Sequence, residues 1–130
     1  MPDDIAAFLS ADVYAVAGAS PKDHKYGHKI FRRLVDGGRT AYPLHPAADA
    51  VAGHRAYPSI AELPRTPGSL SIVTPPEVTR RIVREAINAG VKQVWMQPGA
   101  EDAEASAMAR DAGLTVIDDG SCLLVALATG

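Results

Sequence analysis

The chain has 130 residues, 47% of them hydrophobic, and a formal net charge of -2. That length and composition suit one ordinary domain with one continuous core and argue against a disordered chain. The slightly acidic balance argues against broad nucleic-acid binding, no apolar run is long enough to span a membrane, and the single cysteine, Cys122, rules out an internal disulfide and a multi-cysteine metal site.

The opening stretch "MPDDIAAFLSADV" is acidic, whereas a secretion signal needs a basic start and a longer apolar segment, so a cytoplasmic location is the expectation. A short helix is predicted near Asp3–Leu9. "VYAVA" (13–17) reads as the first buried strand and ends at Gly18. The pairs Ile30/Leu34 and Phe31/Val35 have helical spacing, and Gly37–Gly38 stops that helix. "TAYPL" (40–44) is the second strand. Ala47–Leu63 lacks a clean helical pattern and has room for one turn, a turn at Gly53 and a short irregular strand. "SLSIV" (69–73) is the third strand, followed by a helix with Val78, Ile82 and Ala86 as its stripe, Val83 and Ile87 beside it, and Gly90 at its end. "QVWM" (93–96), an alanine-rich helix from about Glu101 to Ala112, and "LTVI" (114–117) complete the pattern.

Strands alternating with helices argue an α/β fold: a Rossmann-like three-layer sandwich around a five-stranded, mostly parallel sheet of order 3-2-1-4-5. Ligands of such sheets bind beyond the carboxyl ends of the strands, where the strand order reverses. The residues just after each strand are therefore the candidates.

After the first strand come Gly18, Ala19 and Ser20. Small side chains there let a ligand approach the backbone, and the next helix points free amides and its positive end at an anion. From Lys22 to Arg33 there are five basic residues against one acid, Asp23, an excess that favours an anionic ligand. Lys29, Arg32 and Arg33 suit a solvated helix face, which leaves Lys22, Lys25 and Tyr26 as the loop candidates. The G-x-G-x-x-G spacing of dinucleotide sites is absent, and the second strand ends at His45 and Pro46 rather than at an acid for the ribose hydroxyls. His45 is either a stacking or donating group or an ordinary loop residue. Thr74 and Glu77 have capping-box spacing, and Pro75 and Pro76 remove two amide donors while offering a flat apolar shelf suited to a purine face. After the fourth strand, Trp95 is assigned to the core, Met96 and Gln97 to the crevice wall, and Pro98 and Gly99 to a turn. Glu101 and Asp102 already occupy the next helix start, against a second phosphate site there. Cys122 reads either as an inert buried residue or as a thiol near the crevice mouth, and Asp118, Asp119 and Ser121 form no triad with any histidine.

The set "VAGAS", "PLHP", "AYPSIAELP", "VTPPEV" and "VWMQPGAEDAEASAMARDAGLTVIDD" with the following cysteine resembles the small stand-alone CoA-binding domain proteins, whose fold also forms the CoA-binding domain of the succinyl-CoA synthetase alpha subunit. The resemblance extends from about Asp3 to Cys122. It implies that Gly18, Ala19, Ser20 and Lys22 hold the phosphates of coenzyme A, that His45–Pro46 and Thr74-Pro75-Pro76 contact the adenosine, and that Met96 to Gly99 line the pantetheine, with Cys122 near its end. His45 stands where family members usually carry Asn. The stretch around the cysteine, "DDGSC", is longer than usual, and the apolar "LLVALATG" replaces a charged helix, so that end packs differently or forms an interface, such as that of a homodimer.

The synthetases use a phosphohistidine domain and a nucleotide-grasp partner, and these 130 residues have room for neither. The expectation is therefore a module that binds CoA or an acyl-CoA without turnover of its own and without nucleic-acid or membrane partners. The alternatives are an NAD(P)-binding oxidoreductase-like protein and an interaction subunit that keeps the fold but not the ligand.

Overall fold

In the computed structural model, residues 2–129 are described. The elements, in chain order, are α1 (Pro2–Leu9), β1 (Val13–Ala17), α2 (Tyr26–Asp36), β2 (Thr40–Leu44), β3 (Ala50–Val51), β4 (His54–Arg55), a 3-10 turn (Ile60–Glu62), β5 (Ser69–Ile72), α3 (Pro76–Ala89), β6 (Gln93–Met96), α4 (Ala103–Asp111), β7 (Thr115–Ile117) and α5 (Leu123–Thr129).

All neighbouring strands of the main sheet run parallel, in the order β2-β1-β5-β6-β7. The α/β class stands, but the expected order 3-2-1-4-5 does not. Counted along the chain, the five main strands lie 2-1-3-4-5, because β5 pairs with β1 (Tyr14↔Ser69 to Ala17↔Ile72) instead of lying beyond β2. The physical reason is in the segment between β2 and β5, which forms a two-residue-per-strand hairpin and the 3-10 turn. Beyond β2 it contributes a single parallel bridge, Leu44↔Tyr57. The next residue, Pro58, has no amide hydrogen with which to extend that ladder. The expected turn at Gly53 closes the hairpin, with Ala52 and Gly53 both at positive φ, the geometry two-residue hairpin loops require.

Side chains of successive strand residues point to opposite faces, so the sheet carries two cores. Ala15, Ala17, Leu70, Ile72, Val94 and Met96 pack with Val83 and Ala86 of α3 and Ala105 and Ala109 of α4. Tyr14, Val16, Trp95 and Ile117 pack on the other face with Phe8, Ile30, Phe31, Leu34 and Leu123 from α1, α2 and α5. Every residue of β1 is buried, as a strand covered on both faces and paired on both edges must be. The apolar C-terminal run becomes α5 and packs on α2's face of the sheet; Val125 alone among its large side chains stays 63% exposed. Among the described residues no helix is long and apolar enough to cross a membrane.

Two local expectations change. The buried face of α3 is Thr79, Val83 and Ala86, with Ile82 and Ile87 packed against the same core, whereas Val78, expected on that stripe, lines the cleft. Thr74 and Glu77 form no capping box. Pro75 is the N-cap, with no side-chain cap bond, and the Thr74 hydroxyl pairs instead with Thr79 Oγ1 at 2.8 Å.

Candidate functional site

The order of the sheet reverses between β1 and β5, and the loops leaving those two strands are pressed together. Gly18 has φ +88°, and a Cβ there would lie 2.0 Å from the carbonyl oxygen of Val73. Gly27, in the first turn of α2, has the matching constraint: its Cβ would lie 2.2 Å from the carbonyl oxygen of Gly18. Two glycines thus let strand, loop and helix start approach one another, the packing that a dinucleotide fingerprint achieves with more glycines at other spacings. Sequence reasoning found Gly18 and missed Gly27. Its signal was a residue of poor helix propensity opening a strongly amphipathic helix.

The loop has a fixed shape. The imidazole of His28, buried beneath it, donates from Nδ1 to the carbonyl of Ser20 at 2.8 Å, and the Ser20 hydroxyl accepts from the Lys22 amide at 3.1 Å. The Gly18 amide is consumed by Leu44 O. The amides of Ala19 and Ser20 have no partner among the described residues, and the first-turn amides of α2 lie just beyond them. Lys22 and Lys25 are exposed on the same loop.

Beside this loop is a cleft of about 420 Å3. Its walls include Gly18, Ser20, His45, Pro46, Thr74 and Pro75, six of the residues singled out from sequence. His45 is folded into its own loop: Nδ1 accepts from the Ala47 amide at 3.0 Å and the Ala48 amide at 2.9 Å. An asparagine side-chain oxygen satisfies backbone amides in the same way, so histidine here does the local work of that residue. With Nδ1 accepting, the proton of the neutral ring sits on Nε2, which is left as a donor.

A family model described as CoA binding domain matches residues 12–128. The chain belongs to the CoA-binding domain family. It is 27% identical over 115 residues to acetate–CoA ligase [ADP-forming] I of Archaeoglobus fulgidus, a match that covers 81% of this chain and 17% of the ligase. It is also 27% identical to the uncharacterized protein YneT of Bacillus subtilis, over 86% of this chain and 82% of that protein. Among solved structures, a hypothetical protein from Pyrococcus horikoshii superposes with a TM-score of 0.90 at 29% identity, over 95% of this chain and 87% of that one. The chain thus spans under a fifth of the ligase's length but most of the two small proteins.

Other candidates in this CoA-binding domain lie outside the cleft. Met96 and Gln97 were expected on its wall, but both are fully buried. Met96 belongs to the core under α3 and α4. Gln97 is a tie between elements: its Oε1 accepts from Tyr26 Oη at 3.1 Å and from the Leu123 amide at 2.9 Å, and its Nε2 donates to Ser71 Oγ at 3.2 Å. The Tyr26 hydroxyl also meets the half-buried Cys122 sulfur, and burial together with that thiol pushes the phenol's pKa well above the ordinary tyrosine value. The Ala19 side chain is buried and is not on the cleft wall. Pro98 and Gly99 are exposed in the turn after β6, and Pro76 is exposed at the start of α3; none of the three is on the cleft wall. The start of α4 is occupied as expected, since Asp102 accepts from the Ala105 amide at 2.9 Å and pairs with Arg80. Among the described residues no cluster of His, Cys, Asp and Glu could hold a metal ion.

The cleft also has walls that sequence reasoning missed. Pro58, just past the Tyr57 bridge, gives it a third proline ring beside Pro46 and Pro75. Val78, Arg81, Ile82 and Glu85 of α3 line it as well. Their i, i+3, i+4, i+7 spacing is readable, but only Val78 and Ile82 are apolar, a pair that reads as core, and Ile82 does pack on the core as well as on the cleft.

Proposed function

We propose that this chain binds coenzyme A or an acyl-CoA in the cleft beyond β1 and β5, as a binding module without chemistry of its own. The observation that carries the reading is the glycine-closed loop: Gly18 and Gly27 bring strand and helix together so that the unpartnered amides of Ala19 and Ser20 stand beside a proline-lined cleft. Bare amides at a helix start suit a diphosphate. Lys22 and Lys25 add positive charge, and the rings of Pro75, Pro46 and Pro58 suit the faces of a purine. Membership of the CoA-binding domain family supports the same ligand. The pantetheine arm would leave past the turn at Pro98–Gly99 toward Tyr26 and Cys122. The end of β2, with His45 where a nicotinamide dinucleotide would need a carboxylate for its ribose, favours CoA over that class.

Isothermal titration of the purified chain with CoA tests this. Saturable binding tighter than about 1 mM, equivalent to about 4 kcal/mol, is expected. No heat at millimolar CoA overturns the proposal.

A further inference from the structure

We infer that Arg81 reads a phosphomonoester on the ribose of the bound nucleotide and so selects CoA over its dephospho form; this rests on the CoA reading above. Three arginines lie in succession along α3. Arg80 pairs with Asp102 at 2.9 Å and Glu104 at 3.2 Å, and Arg84 reaches Glu104 at 3.9 Å. Both are turned to α4. The side chain of Arg81 makes no hydrogen bond or ion pair among the described residues, and it lines the cleft. Glu85, one turn further on, lines the cleft as well and lies beyond ion-pair distance of Arg81.

His45, on another element, also lines the cleft. His45 spends Nδ1 on the Ala47 and Ala48 amides, which leaves Nε2–H for a ligand, and the loop that follows it, Pro46 to Asp49, has no lysine or arginine. The cleft therefore has two anion-attracting places on different elements. One is the Ala19–Ser20 amide loop. The other is Arg81 with His45 facing the same space. A ligand with a diphosphate alone uses only the first. CoA carries a further phosphate on the ribose 3′ oxygen, and a guanidinium takes such a group in two parallel hydrogen bonds.

Calorimetric titration of CoA and dephospho-CoA into the wild type, Arg81→Ala and Arg81→Lys tests the assignment. The wild type is expected to prefer CoA by about tenfold, the scale of a charge-assisted hydrogen bond. Arg81→Ala is expected to bind both ligands equally, at the wild-type affinity for dephospho-CoA, and Arg81→Lys to keep part of the preference. Equal binding of the two ligands by the wild type overturns the assignment and leaves the CoA reading standing, as does a full preference kept in Arg81→Ala. A wild type that binds neither ligand overturns both.

Discussion

Gly27 shows how a single missing methyl group shapes the site. An added Cβ would meet the backbone oxygen of Gly18 at 2.2 Å, and a backbone oxygen, unlike the end of a flexible side chain, cannot swing aside. Gly27→Ala should therefore push α2 off the β1 loop, destabilising the fold by about 1–3 kcal/mol and weakening CoA binding beyond that loss. Urea unfolding and CoA titration of this variant check both effects; unchanged stability would mean the close approach is not there. His45 illustrates a different limit of residue-level reading. It stands where family members usually carry asparagine, yet its Nδ1 takes two loop amides as an asparagine oxygen would. The chemical equivalence of a ring nitrogen and an amide oxygen as acceptors is invisible when residues are compared by type.

At the scale of elements, the helix starts divide the labour. α2 begins with no acidic residue in its first turn and no side-chain cap, so its amides remain available to an anion. α4 is closed by Asp102, whose carboxyl is held below the usual carboxylate range first by the Arg80 guanidinium and then by the Ala105 amide. Because that pKa is depressed in the folded state, the stabilisation is present above the ordinary carboxylate value of about 3.9 and is lost as the pH falls through the lower, folded value. Asp118, paired with Arg110, and Asp119, bonded to Ser121, are lowered in the same direction. Asp102→Asn should be less stable than the wild type at pH 7, and the difference should shrink as the pH falls below about 4. Thermal melts of both proteins across that range check it; a gap that stays constant or widens in acid would contradict the assigned pair. α3 illustrates why element patterns are only partly legible. Its apolar stripe was visible, but Val78 belongs to the cleft wall and polar Thr79 to the core, where its hydroxyl is satisfied by the carbonyls of Thr74 and Pro75 and by the Thr74 hydroxyl.

For the whole molecule, the class of fold and the position of the cleft were legible, because buried parallel strands leave short apolar runs with Gly and Pro at their ends, and the strand ends of such sheets gather at one edge. The order of the strands was not. It depends on whether residues 45–68 supply a strand beyond β2, and a single bridge at Tyr57 followed by a proline decides that in a way no periodicity reveals. The depth of residues after β6 was also hidden: Gln97, polar and next to a turn, reads as a crevice-wall group, but its amide joins α2, β5 and α5 from inside. The reversal between β1 and β5 nevertheless survives the changed order, so Gly18, Ser20, His45 and Pro75 meet at one cleft as expected. A crystal structure of the chain grown with CoA tests that cleft as the nucleotide site most directly. The diphosphate should lie on the amides of Ala19 and Ser20 with the adenine against Pro75; a CoA bound elsewhere, with the cleft beside Gly18 filled only by water, would contradict the account.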